Sequence, residues 1–166
     1  IIQPNGDEDF TGGYATLERL INELPCPVIA KETGCGISRR VAQRLVNVGV
    51  QTIDISGAGG TSWVGVETLR ARARSQRLGE LYWDWGVPTA ASIAQLTDMG
   101  LAIIATGGVQ HGLDIARAVA LGATAGGMAR PVLTAWNEGG VDAALETGRE
   151  VVDAIRVAHV LTGSRD

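Results

Sequence analysis

The chain has 166 residues, 45% of them hydrophobic, with 23 glycines and only 4% aromatics. That apolar content supports one globular domain, and high glycine suits an α/β protein whose tight βα loops need permissive backbones. A formal net charge of −4 gives no reason to expect nucleic acid or an anionic membrane surface as a partner.

The chain opens on Ile1-Ile2 in place of a methionine. That apolar pair reads as the end of a strand, so the chain is expected to be a fragment of something longer. Residues 14–24 (YATLERLINEL) repeat apolar positions at helical spacing and stop before Pro25 and Pro27. Val28-Ile29-Ala30-Lys31 reads as a short buried strand. Ser38 is placed to cap a helix over 39–48, which Gly49 ends. Thr52-Ile53-Asp54-Ile55 is the second strand. A long polar stretch follows, from about 57 to 87. It holds Arg70, Arg72, Arg74 and Arg77, expected as a solvated helix face, and Trp63, Trp83 and Trp85, expected to order it over the site. Pro88 precedes a helix over 89–98. Leu101–Ala105 is the third strand, 112–121 a helix, 123–127 a fourth strand, and 142–161 a terminal amphipathic helix.

The order is therefore α-β-α-β-α-β-α-β-α, with nearly every strand an unalternated apolar run. Such strands, joined by helical crossovers, form a parallel sheet. An open doubly wound sheet and half of a (β/α)₈ barrel both fit this pattern. In either case ligands bind at the carboxyl ends of the strands. The polar and glycine-rich residues lie there: Lys31 to Gly36, Ser56 to Thr61, Thr106 to Gly108 and Gly126 to Arg130.

Two glycine pairs, Gly107-Gly108 and Gly126-Gly127, follow the last two strands. Glycines let backbone N–H groups approach phosphate oxygens, and a helix N-terminus adds partial positive charge. Two such pairs in consecutive loops point to phosphate binding. Lys31, ending an apolar strand, would aim a cation into the mouth of the sheet, where it can hold a phosphate or negative charge on a reduced cofactor. Cys26 and Cys35 have no CxxC spacing, no residue cluster has metal-ligand spacing, and Cys35 lacks an adjacent base. No metal site is expected in the chain. His159 is expected in a partly buried or surface role on the last helix, and His111 lies in the phosphate loop. Asp7, Glu8 and Asp9 read as a solvated loop. No apolar run approaches a bilayer span and no signal peptide opens the chain, so a reducing, cytoplasmic setting is expected.

Several segments carry a resemblance. They are Lys31-Glu32-Thr33-Gly34-Cys35-Gly36-Ile37-Ser38, Ser56-Gly57-Ala58-Gly59-Gly60-Thr61-Ser62-Trp63, Asp84-Trp85-Gly86-Val87-Pro88-Thr89-Ala90, Gly107-Gly108-Val109, Gly112-Leu113-Asp114 and Leu161-Thr162-Gly163-Ser164. Together they resemble the type 2 isopentenyl-diphosphate delta-isomerases, and the resemblance runs from Gln3-Pro4 to Ser164. It implies that residues 1–166 form a single partial domain, the C-terminal half of an FMN-binding (β/α)₈ TIM barrel. It further implies interconversion of isopentenyl and dimethylallyl diphosphate in isoprenoid biosynthesis, with reduced FMN as cofactor, NAD(P)H as reductant and Mg²⁺ on the substrate diphosphate. A homo-oligomer without membrane association is expected.

Carried over by motif, Lys31 would hydrogen-bond the flavin ring, and Ser56 and Thr61 would contact the flavin or its chain. Gly107, Gly108, Val109 and Gln110, with Ala129 and Arg130, would cradle the FMN phosphate. Thr33 would lie near the substrate. The chain departs from the family where Gln110-His111 replaces a common Arg-Ser, leaving Arg130 as the compensating cation, and where Gln3-Pro4-Asn5-Gly6 replaces Gln-Pro-Glu-Gly. The family's Gln-Glu pair for proton transfer aligns just before Ile1, so no catalytic residue is expected in this chain, which by itself should not catalyse. The alternatives are an FMN-dependent oxidoreductase of the hydroxy-acid oxidase type and a non-catalytic phosphate-binding half-barrel.

Overall fold

The computed structural model describes Gly6 and residues 9–164. The readings at Ile1-Ile2, at Gln3 to Asn5 and at Asp7-Glu8 lie outside the described residues. The described chain runs through helix α1 (Gly13–Glu23), strand β1 (Ile29–Lys31), α2 (Arg39–Asn47), β2 (Thr52–Asp54), α3 (Trp63–Arg70), α4 (Ala73–Leu81), α5 (Thr89–Leu96), β3 (Ala102–Ala105), α6 (Gly112–Ala120), β4 (Ala125–Gly126) and α7 (Arg130–Thr162).

The sheet is parallel throughout, in the order β1-β2-β3-β4. Consecutive strands are neighbours and the order never reverses. A doubly wound sheet turns back at a switch point, whereas a barrel is wound in one direction. Four strands with helical crossovers in this order are half of a (β/α)₈ barrel.

Period-2 geometry sends alternate side chains to opposite faces. Ala30, Ile53 and Ile103 are aligned across the sheet and buried. They pack with Ala42 and Leu45 of α2 and Ile93 and Leu96 of α5 into one core, joined by Ile55, Ala105 and Ala118. The residues between them point to the other, concave face, where Ile29 is exposed and Thr52, Ala102 and Ile104 are half-buried. The strands are thus apolar on the covered face, while the other face mixes Ile29, Ala102 and Ile104 with Thr52, Lys31 and Asp54.

Local signals account for the helix ends. Ser38 Oγ accepts from the Val41 N–H and Ser62 Oγ from the Gly65 N–H, each satisfying one otherwise orphaned donor. Buried Ser92 closes a two-way bridge, donating to the Ile37 carbonyl (2.7 Å) and accepting from the Ile37 N–H (3.1 Å). Arg39 makes a fork to both Asp98 oxygens (2.5 and 2.9 Å) and bonds the Gln95 carbonyl (2.8 Å), clamping α2 to the end of α5.

Two departures from the expected elements stand out. The polar stretch 57–87 contains two helices, α3 and α4, whose apolar residues are interrupted by the four exposed arginines, so helical periodicity is weak there. The last helix begins at Arg130, twelve residues before the expected start, and is broken by non-helical backbone at Gly139 and Gly140. That glycine pair hides its first segment from a periodicity reading.

Candidate functional site at the carboxyl ends of the strands

The loops that leave the carboxyl ends of the strands are stitched together edge to edge. The Gly36 N–H donates to the Ser56 carbonyl (3.0 Å), the Gly57 N–H to the Thr106 carbonyl (2.9 Å) and the Gly127 N–H to the Ala105 carbonyl (3.0 Å). Between β2 and β3 the contact is backbone on backbone. A Cβ on Gly107 would overlap the Gly57 carbonyl and lie 2.5 Å from the Gly57 nitrogen, and one on Gly108 would lie 2.6 Å from the Gly59 oxygen. Both residues have positive φ, 94° and 80°, so only glycine meets both demands. Thr89, at the start of α5, locks this loop by donating to the Gly107 carbonyl (2.6 Å).

Lys31 ends β1 and sits opposite Asp54, its register partner on β2. Its ammonium lies 2.8 Å from Asp54 Oδ2 and 3.5 Å from Thr106 Oγ1. The Thr106 hydroxyl in turn donates to Asp54 Oδ1, which also accepts the Ser56 N–H (3.2 Å). The Lys31 side chain is 53% exposed and that of Asp54 13% exposed, so a sheltered carboxylate anchors a cation that reaches the open mouth. Ser56 holds φ at +36°, an uncommon conformation for a residue with a side chain, and such residues cluster at functional sites.

Glu32 folds back and accepts the Gly34 N–H (2.7 Å) and the Cys35 N–H (2.5 Å). Burial first, and the Glu32 carboxylate second, push the Cys35 thiol up from its ordinary value, which agrees with an unreactive cysteine. Thr33 and Thr61 are exposed on neighbouring loops, with the Thr61 carbonyl 3.3 Å from where a Gly34 Cβ would sit.

His111 is the N-cap of α6. Its Nδ1 accepts the Asp114 N–H (3.3 Å), while Asp114 Oδ2 accepts the Gln110 N–H (3.1 Å). Ala129 precedes α7 without a side-chain cap, and Arg130 is exposed and has no ion pair among the described residues. The N–H groups of Val109, Met128 and Ala129 have no hydrogen-bond partner among the described residues, although Val109 is buried. Donors of this kind, next to a helix N-terminus and an unpaired arginine, are what a phosphate needs. They fit the phosphate end of a flavin mononucleotide.

The structure therefore brings Lys31, Ser56 and Gly107 into one bonded framework, with Gly108 packed against Gly59 beside it. Thr33, Thr61, Gln110 and Ala129 lie in loops at the same ends of the strands, and Arg130 opens α7 there, none of them bonding to Lys31. Asp54 and Thr106 are the functional groups that a sequence reading underrates. The signal for Asp54 is a single charge inside the apolar run Thr52-Ile53-Asp54-Ile55. Elsewhere, His159 Nδ1 lies 2.9 Å from the Ile155 carbonyl one turn back, a structural role. No group of His, Cys, Asp or Glu that could hold a metal occurs among the described residues, and no helix there is long and apolar enough to cross a membrane.

Residues 6–166 match the family described as FMN-dependent dehydrogenase. Proteins named isopentenyl-diphosphate delta-isomerase are similar: that of Pyrococcus furiosus is 43% identical over 99% of this chain and 42% of its own length. That of Methanosarcina barkeri is 46% identical over 98% of this chain and 45% of its own. The chain thus spans about half the length of the curated relatives it matches. A soluble mutant of the (S)-mandelate dehydrogenase from Pseudomonas putida superposes with a TM-score of 0.72 at 21% identity, covering 94% of this chain and 38% of that one. At that identity the likeness speaks for the barrel fold alone. With the family match covering nearly all of the sequence, the chain belongs to the FMN-dependent dehydrogenase family.

Proposed function

We propose that this chain is the flavin-phosphate-binding half of an FMN-dependent isomerase that interconverts isopentenyl and dimethylallyl diphosphate. The observation that carries the reading is identity of 43–46% along nearly the whole chain with relatives of that name. The loop geometry supports it, because backbone donors without partners among the described residues stand beside Arg130 at the start of α7, the kind of setting a phosphate needs. Bound reduced FMN would supply acid–base chemistry, moving a proton on and off carbons that ordinary side chains do not protonate.

The chain's own residues have distinct tasks in this reading. Gly107, Gly108, Val109 and Gln110, with Ala129 and Arg130, hold the phosphate. Lys31 donates to the flavin ring, and Ser56 and Thr61 contact the ring or its chain. Thr33 borders the substrate. Mg²⁺ would hold the substrate diphosphate and NAD(P)H would reduce the flavin beforehand, the isomerisation itself carrying no net redox change, in a cytoplasmic homo-oligomer. No catalytic Gln-Glu pair is assigned to these residues, so the chain alone is proposed to bind the FMN phosphate poorly or in part and without turnover, the remaining groups coming from the other half of a barrel.

Two measurements test the reading. FMN titration of the polypeptide that carries this chain with a complete barrel, followed by quenching of flavin fluorescence, should give saturable binding, weakened about tenfold in Arg130→Ala by loss of a charge-assisted phosphate contact. Unchanged affinity would remove Arg130 from the phosphate site. The second assay follows isopentenyl diphosphate with reduced FMN and Mg²⁺, using the polypeptide that carries this chain with a complete barrel. Oxidation of a 2-hydroxy acid in place of isomerisation would favour the oxidoreductase alternative.

A further inference from the structure

The chain has a single lysine, Lys31, against thirteen arginines. Among the described residues every other strong cation is a guanidinium on a helix or loop, and the lysine ammonium stands at the carboxyl end of β1. An ammonium is a compact, tetrahedral donor of three protons, whereas a guanidinium is a broad planar fork. The surroundings of Lys31 suit the former. Asp54 Oδ2 accepts at 2.8 Å and Thr106 Oγ1 at 3.5 Å, one oxygen from β2 and one from the residue that follows β3. Two of the three N–H bonds are thereby directed back toward the sheet, which leaves one for the open mouth.

Asp54 is the hub of this arrangement. Its second oxygen accepts both the Thr106 hydroxyl and the Ser56 N–H. Through Thr106 it also reaches the glycine loop, because the Thr106 carbonyl accepts from the Gly57 N–H (2.9 Å) and from Thr89 Oγ1 (3.2 Å). One carboxylate therefore fixes the cation of β1, the strained Ser56 after β2 and the hydroxyl that follows β3. A lysine on a four-carbon stem and half exposed would otherwise sample many rotamers.

We propose that Asp54 is a positioning residue: it tethers Lys31 through both its carboxylate and the Thr106 hydroxyl, so that a single ammonium N–H faces the flavin. The part concerning flavin rests on the function proposed above, and the tether does not.

The tether is tested without any cofactor. In the polypeptide that carries this chain, Lys31 is labelled with an amine-directed acylating reagent and its peptide followed by mass spectrometry, the signal being assigned by its loss in Lys31→Arg. Asp54→Asn keeps the size and one acceptor but removes the charge. It should raise the labelling rate of Lys31 about fivefold, as expected for a charged hydrogen bond on a half-exposed group, and Thr106→Val should raise it less. Circular dichroism establishes that the variants are folded. If Asp54→Asn unfolds the protein, Asp54→Glu, which retains the charge on a longer stem, decides in its place: it should also raise the rate. A rate in the folded Asp54 variant equal to wild type overturns the tether.

The flavin arm reads the midpoint potential and affinity of bound FMN in a double-mutant cycle with Lys31→Met. Asp54→Asn should change both in the wild-type background and leave both nearly unchanged once Lys31 is gone. Equal changes in the two backgrounds overturn positioning through Lys31. Failure of the wild type to bind FMN would refute the proposed function and the flavin-facing clause, while the labelling result would still decide the tether.

Discussion

Gly107→Ala probes the closest contact in the site. The methyl group would overlap the Gly57 carbonyl and lie 2.5 Å from the Gly57 nitrogen and 2.8 Å from its carbonyl carbon. All three are backbone atoms, which cannot swing away as a side-chain tip can. Forcing bulk into a packed region costs about 1–3 kcal/mol. The left-handed φ of 94° adds roughly 1–2 kcal/mol for an alanine. A loss of about 3–4 kcal/mol is expected, a large share of the roughly 5–15 kcal/mol that holds a domain folded. Urea unfolding followed by tryptophan fluorescence measures it. With a slope of about 2 kcal/mol per molar, the midpoint should fall by roughly 1.5–2 M. Gly148→Ala is the control: it lies in α7 with nothing within 4 Å of a built Cβ and should gain about 0.5–1 kcal/mol. A Gly107→Ala midpoint within about 0.3 M of wild type would refute the claim that the two loops touch through their backbones.

Ser92→Ala leaves the buried Ile37 N–H and carbonyl without their shared partner, so it should cost about 2–4 kcal/mol in the same assay, and a loss below about 1 kcal/mol would contradict that pairing. Iodoacetamide at neutral pH should alkylate exposed Cys26 on the order of tenfold faster than Cys35, and Glu32→Gln should narrow the gap. Equal rates would show that burial does not protect Cys35. The Arg39 guanidinium, chiefly through its hydrogen bonds, holds the Asp98 carboxyl below the usual carboxylate value. A depressed folded value means stability present above the unfolded value and lost as pH falls through the folded one. The stability difference between wild type and Asp98→Asn should therefore shrink from neutral pH toward about pH 2, and a constant difference would refute the sign.

How much of this was legible in the sequence depends on which force sets each feature. The strands and most helices follow from local apolar runs and stop signals at Pro25, Gly49 and Pro88, so they were readable. In the stretch 57–87 only the solvated helix face of Arg70 to Arg77 was legible; the bounds of α3 and α4 were not, because their residues are held by packing rather than by an amphipathic stripe: Gly79 is buried against Thr68, and Gly65 against Trp83. The glycine pair at 107–108 was visible as a candidate phosphate loop, but its partners Gly57 and Gly59 are about fifty residues away in the chain. Only the parallel register brings them together. The same holds for Asp54, an isolated charge in the sequence that becomes a hub once β1 and β3 flank it.

The burial pattern carries the last step. Apolar runs without alternation predicted strands buried on both faces, yet burial in β1, β2 and β3 alternates residue by residue. Apolar residues stand on the concave side as well, at Ile29, Ala102 and Ile104: Ile29 is 50% exposed there, where fully burying such a side chain is worth about 1.5–3 kcal/mol. Along α7, Leu133, Trp136, Leu145 and Val152 are exposed too. A sequence adapted to stand as an open sheet would put polar residues at alternate strand positions. This one keeps the inward row of a barrel, in a chain that matches about half the length of its relatives. The concave face therefore carries the pattern of a closed barrel's interior, and the charged Lys31–Asp54–Thr106 cluster caps that apolar row at the end where the ligand loops converge.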